Sequence, residues 1–544
     1  MQTRFVRYAV LVGAAALAAC DDRLGVSNPN VVDVDAAFRS TSGVEQIALK
    51  SFQALFGGQY NNGVDAIWPQ AMALAGESGA SVNNGGMNVR LSIPRQAIDN
   101  ALGNLTQTGN NRDFSFFTRF ARQNANAIRA LDNITDTPVA KARARAVAYF
   151  NIGYALGHQA LVYDSASVIT PAQVDTANFA GATTVMTTAL SMLDSAIAIA
   201  SDPALSAPPT FPIPAGFFLN GAEVTAPRFI QVARSYKARF RAGVARTPAE
   251  RGAVNWGLVA ADAENGITTD FTIALDPTIG WNNGTIVQLT LFRGWHYFPS
   301  LYLGMADTSG TYNSYIAVGT FAGRNPQSTP NFLIRTPDRR FPSGDTRPLQ
   351  EAANSENAPS TTIYFRNRPV GQDQETINQL DPWSNSQYDH TRFRVIRNNN
   401  GTGTFVLIDA DEVAMLRAEA LLRTGQSATA IGLINASRTR NGLPTIPTTL
   451  GINDPIPGPA CVPRVPVSNN ATTCGSVLEA MKWEKRMETA LTGYAQWFID
   501  GRGWGDLITG TPLEWPVPVQ ELFARNRTSY TSARRQAAPT TYGF

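Results

Sequence analysis

The stretch DADEVAMLRAEALLRTGQSATAIGLINASRTRNGLP, residues 409–444, decides the fold. Asp409 followed three residues later by Glu412 has the spacing of a capping box, in which two side chains satisfy the first free amides of a helix. Val413, Leu416 and Ala420 then fall on one helical face. Gly425 is placed to end that helix as a C′ glycine. Ser427 can cap a second helix that carries Ala430, Ile431 and Ile434. Asn441-Gly442 and Pro444 end it. Two helices joined by so few residues predict an antiparallel hairpin.

From Ile408 to Asn441 is 34 residues, the period of a tetratricopeptide repeat. Ala418, Ala430 and Ser437 are small enough for the two helices to approach, and Leu421 and Ile434 fill the remaining gaps. Other segments repeat the pattern. Residues 113–133 read as a helix with Phe117, Ala121, Asn124, Ile128 and Leu131 on adjoining faces. Residues 141–164 form a long alanine-rich helix, with 183–200 as its partner. Residues 227–246 and 249–267 form a further pair, and 476–491 belongs to a last one. Residues 268–405 are rich in Gly, Asn, Pro and aromatics and hold no convincing amphipathic helix. The expectation is a mainly all-α, TPR-like scaffold of about four helix pairs, over about 113–267 and 408–507. A loop-rich insertion at about 268–405 would carry function, because long loops are where binding residues concentrate.

The N-terminus reads MQTRFVRYAVLVGAAALAAC. Arg4 and Arg7 precede an uncharged run from Tyr8 to Cys20. That run is too short for a spanning helix, which needs about 20 residues, and it has the form of a secretory signal peptide. Leu17-Ala18-Ala19-Cys20 resembles the bacterial lipobox, which implies cleavage after residue 19 and acylation of Cys20. Several acyl chains anchor a protein stably where one does not. Removing residues 1–19 takes away two arginines and no acid, so the formal charge falls from +3 to +1. No electrostatic case for nucleic acid survives. The remainder, 20–544, shows no other long uncharged apolar run and is expected to be soluble. Cys461 and Cys474 lie in a Pro/Asn/Gly-rich loop, and export permits a disulfide between them.

These stations, in this order, resemble the SusD/RagB family of outer-membrane nutrient-binding lipoproteins. The lipobox is followed by Asn28-Pro29. Residues 141–164 resemble the family's alanine- and aromatic-rich helix, although no Gly-Asp-x-Pro-Leu follows. VAMLRAEALLRTGQSATAIGLINASRTRNGLP resembles the family's RAEAL…IN-x-x-R-x-R-x-G-L segment. In residues 483–507, Glu484, Arg486, Glu488, Gly493, Trp497, Asp500, Arg502 and Trp504 hold places of its near-terminal block. Thr492 and Gln496 depart from it, standing where Glu and Arg are expected. The resemblance implies a single SusD-like domain over 20–544 and no enzymatic activity. It also implies surface exposure on the outer membrane and a role as lid on a SusC-like TonB-dependent transporter. The nutrient would be an oligosaccharide first, with a peptide as the other class.

The residues themselves name no catalyst. There is no G-x-S-x-G, H-E-x-x-H or phosphate loop, and no cofactor is expected. His158, His296 and His390 are scattered, without ligand-like spacing to the cysteines, so no metal is expected. Glu484 and Glu488 invite a catalytic pairing, but on one helical face among Lys485 and Arg486 they read as an exposed salt-bridge pattern. Sugars stack on indole and phenol rings, so loop aromatics are the ligand-site candidates: Trp68, Trp281, Trp295, Tyr297, Trp383 and Tyr388. Two other classes stay open: an exported TPR-type protein-interaction scaffold without nutrient binding, and a surface hydrolase assembled from the loops.

Overall fold

The computed structural model describes residues 34–60, 65–78, 95–104, 107–174, 178–216, 222–281, 298–317, 333–355, 359–369, 386–458, 461–468, 471–531 and 535–539, with residues 63, 90 and 542. Cys20 and the leader lie outside them. The scaffold is helical. It opens with α1 (Thr41–Tyr60), α2 (Ile67–Leu74), α3 (Gln107–Asn133), α4 (Pro138–Val162) and α5 (Ala182–Ser201). There follow α6 (Ala226–Gly243), α7 (Pro248–Gly252) and α8 (Trp256–Glu264). Four pairs stack in sequence: α1 with α3, α4 with α5, α6 with α8, and α9 (Ala410–Arg423) with α10 (Ser427–Arg440). After them come α11 (Val477–Thr489) and α12 (Gln496–Trp504). This is the TPR-like scaffold that the helical periodicity predicts.

The helix ends follow the capping logic with two differences. Asp409 is the N-cap of α9 and accepts from the amide of Asp411, but Glu412 does not reach back to close a box. Its carboxylate is buried and takes both hydrogen bonds offered by the Arg239 fork, at 2.7 and 2.6 Å. The ion pair to α6 outcompetes the local cap. Ser427 is the first residue of α10 rather than its cap. Gly425 and Gly442 take φ +80° and +77° after the two helices, as C′ positions require.

Helix α4 is the centre of the molecule. From Ala142 onward nearly every residue is buried, which only a helix surrounded on all sides tolerates. Its small residues set the spacing. A Cβ on Gly157 would stand 2.1 Å from the Phe240 ring, and one on Gly153 would stand 2.7 Å from Leu193. Neither neighbour could approach so closely past a larger residue. His158, on the same helix, stacks on Phe117 and shares a hydrogen bond with the Tyr154 carbonyl at 2.8 Å. Burial lowers its pKa to about 3, so it is a neutral core histidine. Helix α5 is long and apolar enough to cross a membrane by length and composition. Here its Val185, Ala189, Leu193 and Ala196 are buried and the helix packs on α4.

The insertion leaves and returns at one place. Strand β1 (Phe271–Leu275) pairs antiparallel with β4 (Gly403–Ile408), from Phe271↔Ile408 to Leu275↔Gly403. Between them lie short helices at Thr311–Ile316 and Arg347–Ala353, and strand β2 (Phe365–Asn367) paired with β3 (Tyr388–His390). A tight hairpin, β5 (Arg464–Ser468) with β6 (Ala471–Cys474), sits beside the insertion, and the Thr472 hydroxyl donates to Asn313 Oδ1 at 2.7 Å. A disulfide joins Cys461 to Cys474 across this hairpin, with Cα atoms 5.7 Å apart. The cross-link restricts the unfolded chain, so the Cys461→Ser/Cys474→Ser double variant should lose about 3 kcal/mol. Urea unfolding of that variant, compared with native and reduced protein, is the check: reduction should shift the native midpoint and leave the variant's alone.

Candidate functional site

Among the described residues, a buried ionic node fastens the insertion to the scaffold. Arg340 is fully buried, and its fork binds both oxygens of Asp338, Nε at 2.9 Å and Nη2 at 2.7 Å. Its Nη1 lies 3.1 Å from Glu484 and 3.0 Å from Glu488 on α11. The Trp483 indole donates to Asp338 at 3.0 Å, and the Tyr364 hydroxyl donates to Glu488 at 2.6 Å. Arg392 adds a bond to Asp409 at 2.9 Å and another to the Glu488 carbonyl at 2.8 Å.

Glu484 and Glu488 do form salt bridges, as their sequence pattern suggests, but they are buried rather than exposed. The partner that covers them, Arg340, lies far away in sequence. Burial raises the pKa of Glu484 despite Arg340 and Arg438. Burial acts on Glu488 in the same sense, yet Arg340, Arg392 and the Tyr364 hydroxyl outweigh it and hold Glu488 below the usual range. Asp409 is pushed up to about 7 by burial, with Arg392 pulling against Glu488 and Asp270. Asp409, Asp411 and Glu488 bring carboxylate oxygens within 4.8 Å of one another. Their charges are already answered by Arg392, Arg440 and Arg340. The cluster is therefore an ion-pair network rather than a vacant cation site.

The rest of the near-terminal block is equally structural. Asp500 binds Lys485 at 2.7 Å and Arg251 at 3.2 Å. Arg502 donates to the carbonyls of Leu161, Gly243 and Leu513. Trp497 donates to the Arg486 carbonyl, and Trp504 to Glu419. Gly493, at φ +58°, lies in a turn where Leu491 and Ala495 are also left-handed.

That turn receives a carboxyl group from elsewhere: Glu77, just beyond α2, accepts from the Leu491 amide at 2.8 Å. With that single hydrogen bond and full burial its pKa rises to about 8, so it is folded as the neutral acid. The unfolded chain releases this proton above about pH 4.5 and the folded chain keeps it to about pH 8, so stability falls as pH rises through that window. Glu77→Gln should remove this slope and stabilise the protein at pH 8 by an amount on the order of 4 kcal/mol. At pH 4 it should be nearly neutral. Thermal unfolding of both proteins at the two pH values measures the difference.

Three of the six aromatic candidates are core residues. Trp68 is 1% exposed and packs on Tyr60 and Phe405; Trp281 is 0% exposed and packs on Phe56, where α1, α2 and the β1–β4 pair meet. Tyr388 is 0% exposed; its hydroxyl donates to Gln350 at 2.7 Å and receives the Ile334 amide at 2.9 Å. None offers a ring face to a ligand, so these three assignments are corrected to structural roles. Trp295, Tyr297 and Trp383 lie outside the described residues. Among the described residues, the insertion brings Phe298 together with Phe341, Phe365 and His390, over Trp483 and Trp497, a grouping that sequence reasoning did not assemble. No single segment holds enough of these rings to reveal them.

Stacked helix pairs carrying one long loop insertion define an α-repeat scaffold in architecture. The fold is similar to that of solved structures described as SusD superfamily proteins. A SusD superfamily protein from Bacteroides thetaiotaomicron shares it at TM-score 0.52 and 14% identity, over 92% of this chain and 98% of its own. One from Bacteroides vulgatus does so at TM-score 0.52 and 14% identity, over 86% and 89%. A SusD-like carbohydrate binding protein from Bacteroides fragilis does so at TM-score 0.50 and 13% identity, over 87% and 89%. No family model matches the chain, and no curated protein does.

Proposed function

We propose that this protein is a non-enzymatic, surface-exposed lipoprotein of the outer membrane, anchored through acylated Cys20. In this reading residues 20–544 act as one SusD-like unit that binds a nutrient and serves as lid on a SusC-like TonB-dependent transporter. An oligosaccharide is the first candidate and a peptide the second. The observation that carries the reading is the near full-length likeness of the scaffold to SusD-like structures, one of them described as a carbohydrate binding protein. The fastened insertion supports it, since it supplies loops held on a rigid base. With Trp68, Trp281 and Tyr388 in the core, Trp295, Tyr297 and Trp383 carry the proposed ring contacts.

The test is a pull-down of tagged, lipidated protein from detergent-solubilised outer membranes, with mass spectrometry of the eluate. A stoichiometric TonB-dependent barrel is the expected result. A soluble protein partner, or none, from intact lipidated bait would overturn the lid role and favour a protein-interaction scaffold. Growth of a strain carrying Trp295→Ala/Trp383→Ala on candidate glycans and peptides then identifies the nutrient class.

A further inference from the structure

Helix α5, the end of α6 and the α7 turn line an open pocket of about 340 Å³ on the helical scaffold, formed without any residue of the insertion. Met186, Leu190, Val244 and Val254 give it apolar walls, and Arg241 and Glu250 are its charged residues. The volume is at the lower end of the small-molecule range. At about 30 Å³ per water it has room for roughly ten non-hydrogen atoms.

The two charged residues are not equivalent. One Glu250 oxygen accepts the Arg246 amide at 2.6 Å and the other is bonded by Arg535, so this carboxylate is satisfied. Arg241 spends only Nε, donating to Asp262 Oδ2 at 2.8 Å. Its two terminal amino groups have no partner among the described residues. Asp262 is shared further: Arg234 and Lys237 each lie 3.3 Å from its other oxygen. Three cations thus converge on one buried carboxylate, and Lys237 also pairs with Asp194. The pocket therefore combines apolar walls, a carboxylate already satisfied by Arg246 and Arg535, and a guanidinium edge able to bind a carboxylate in bidentate fashion.

We propose that this pocket is a binding site for a small monocarboxylate with a branched apolar body, its carboxylate on Arg241 and its hydrocarbon against Met186, Leu190 and Val254. The site lies on the helix pairs and is independent of the loop-borne nutrient site.

The probe is 4-methylpentanoate, with 4-methylpentanamide as its uncharged isostere. Binding is followed by NMR of protein labelled at the methionine methyls, nine in the full sequence, with the Met186 signal assigned from its loss in Met186→Leu. Calorimetry runs in parallel. The Met186 signal should move saturably with the acid, in the roughly millimolar range expected of so small a ligand. The amide should bind at least tenfold more weakly, and Arg241→Gln should weaken the acid at least tenfold. Equal titration by acid and amide, an unchanged affinity in Arg241→Gln, or a Met186 signal that never moves would overturn the proposal. Should Arg241→Gln fail to fold, Thr187→Trp, at an exposed position on the pocket lining, fills the pocket instead. It should abolish acid binding with helicity intact, and retained binding there overturns the site.

Discussion

Arg340→Met should cost about 3–5 kcal/mol, the usual penalty for removing one partner of a buried ion pair. The variant leaves Asp338, Glu484 and Glu488 facing one another without the guanidinium that now binds all three. The damage should be local before it is global. Hydrogen exchange should quicken first at residues 333–355 and 359–369, while α4 stays protected. Acidification should partly rescue the variant, because protonating any of the three carboxyls relieves their repulsion. Arg340→Lys should recover part of the loss, since it restores a charge but not the planar fork. Exchange that quickens uniformly, or a variant as stable as native at pH 7, would contradict the role of this node.

Glu419→Gln should lose about 3 kcal/mol at pH 7, and the loss should disappear in acid. Glu419 on α9 accepts both bonds of the buried Arg251 fork, at 2.8 and 2.6 Å. Burial alone would raise its pKa, but Arg251, Arg423 and Lys485 together bring it down to about 2. A depressed carboxylate stabilises the fold fully above its unfolded value near 4.5. That contribution fades as pH falls from there through 2. Native and Glu419→Gln proteins should therefore differ most at neutral pH and converge toward pH 2 in urea titrations. A constant gap across that range would mean that packing of the amide, not the charge, sets the cost.

The helix pairs were legible because a local period and local end signals suffice to specify them. Residues 409–444 announce both helices through the spacing of Val413, Leu416, Ile431 and Ile434 and the glycines that follow each helix. Helix α1 escaped notice because its buried set, including Gly58, Gln59 and Ser51, blurs the apolar face. The near-terminal block was visible as a motif, yet its burial was not. Exposed and buried charge patterns look alike until the partner is known, and Arg340 meets Glu488 from 148 residues away. The aromatics failed for a related reason. Trp68, Trp281 and Tyr388 sit in loop-like sequence, but stacking against Phe56 and Phe405, or a hydroxyl bond to Gln350, draws them inward. Conversely, the pocket at Arg241 has no signature in the chain, since it arises from where two helix pairs meet.

The β1–β4 pair gives the insertion a stem. Residues 276–402 depart and return through two adjacent strands, so at the stem the scaffold fixes only that their ends are a strand's width apart. Lengthening a closed loop is cheap, about 0.6 kcal/mol for each doubling. Whole stretches between the stem and the Arg340 node could therefore be exchanged, extended or trimmed while the helix stack keeps its geometry. In evolutionary terms the insertion is a cassette: its sequence can diverge quickly on a framework whose buried ion pairs hold it nearly constant.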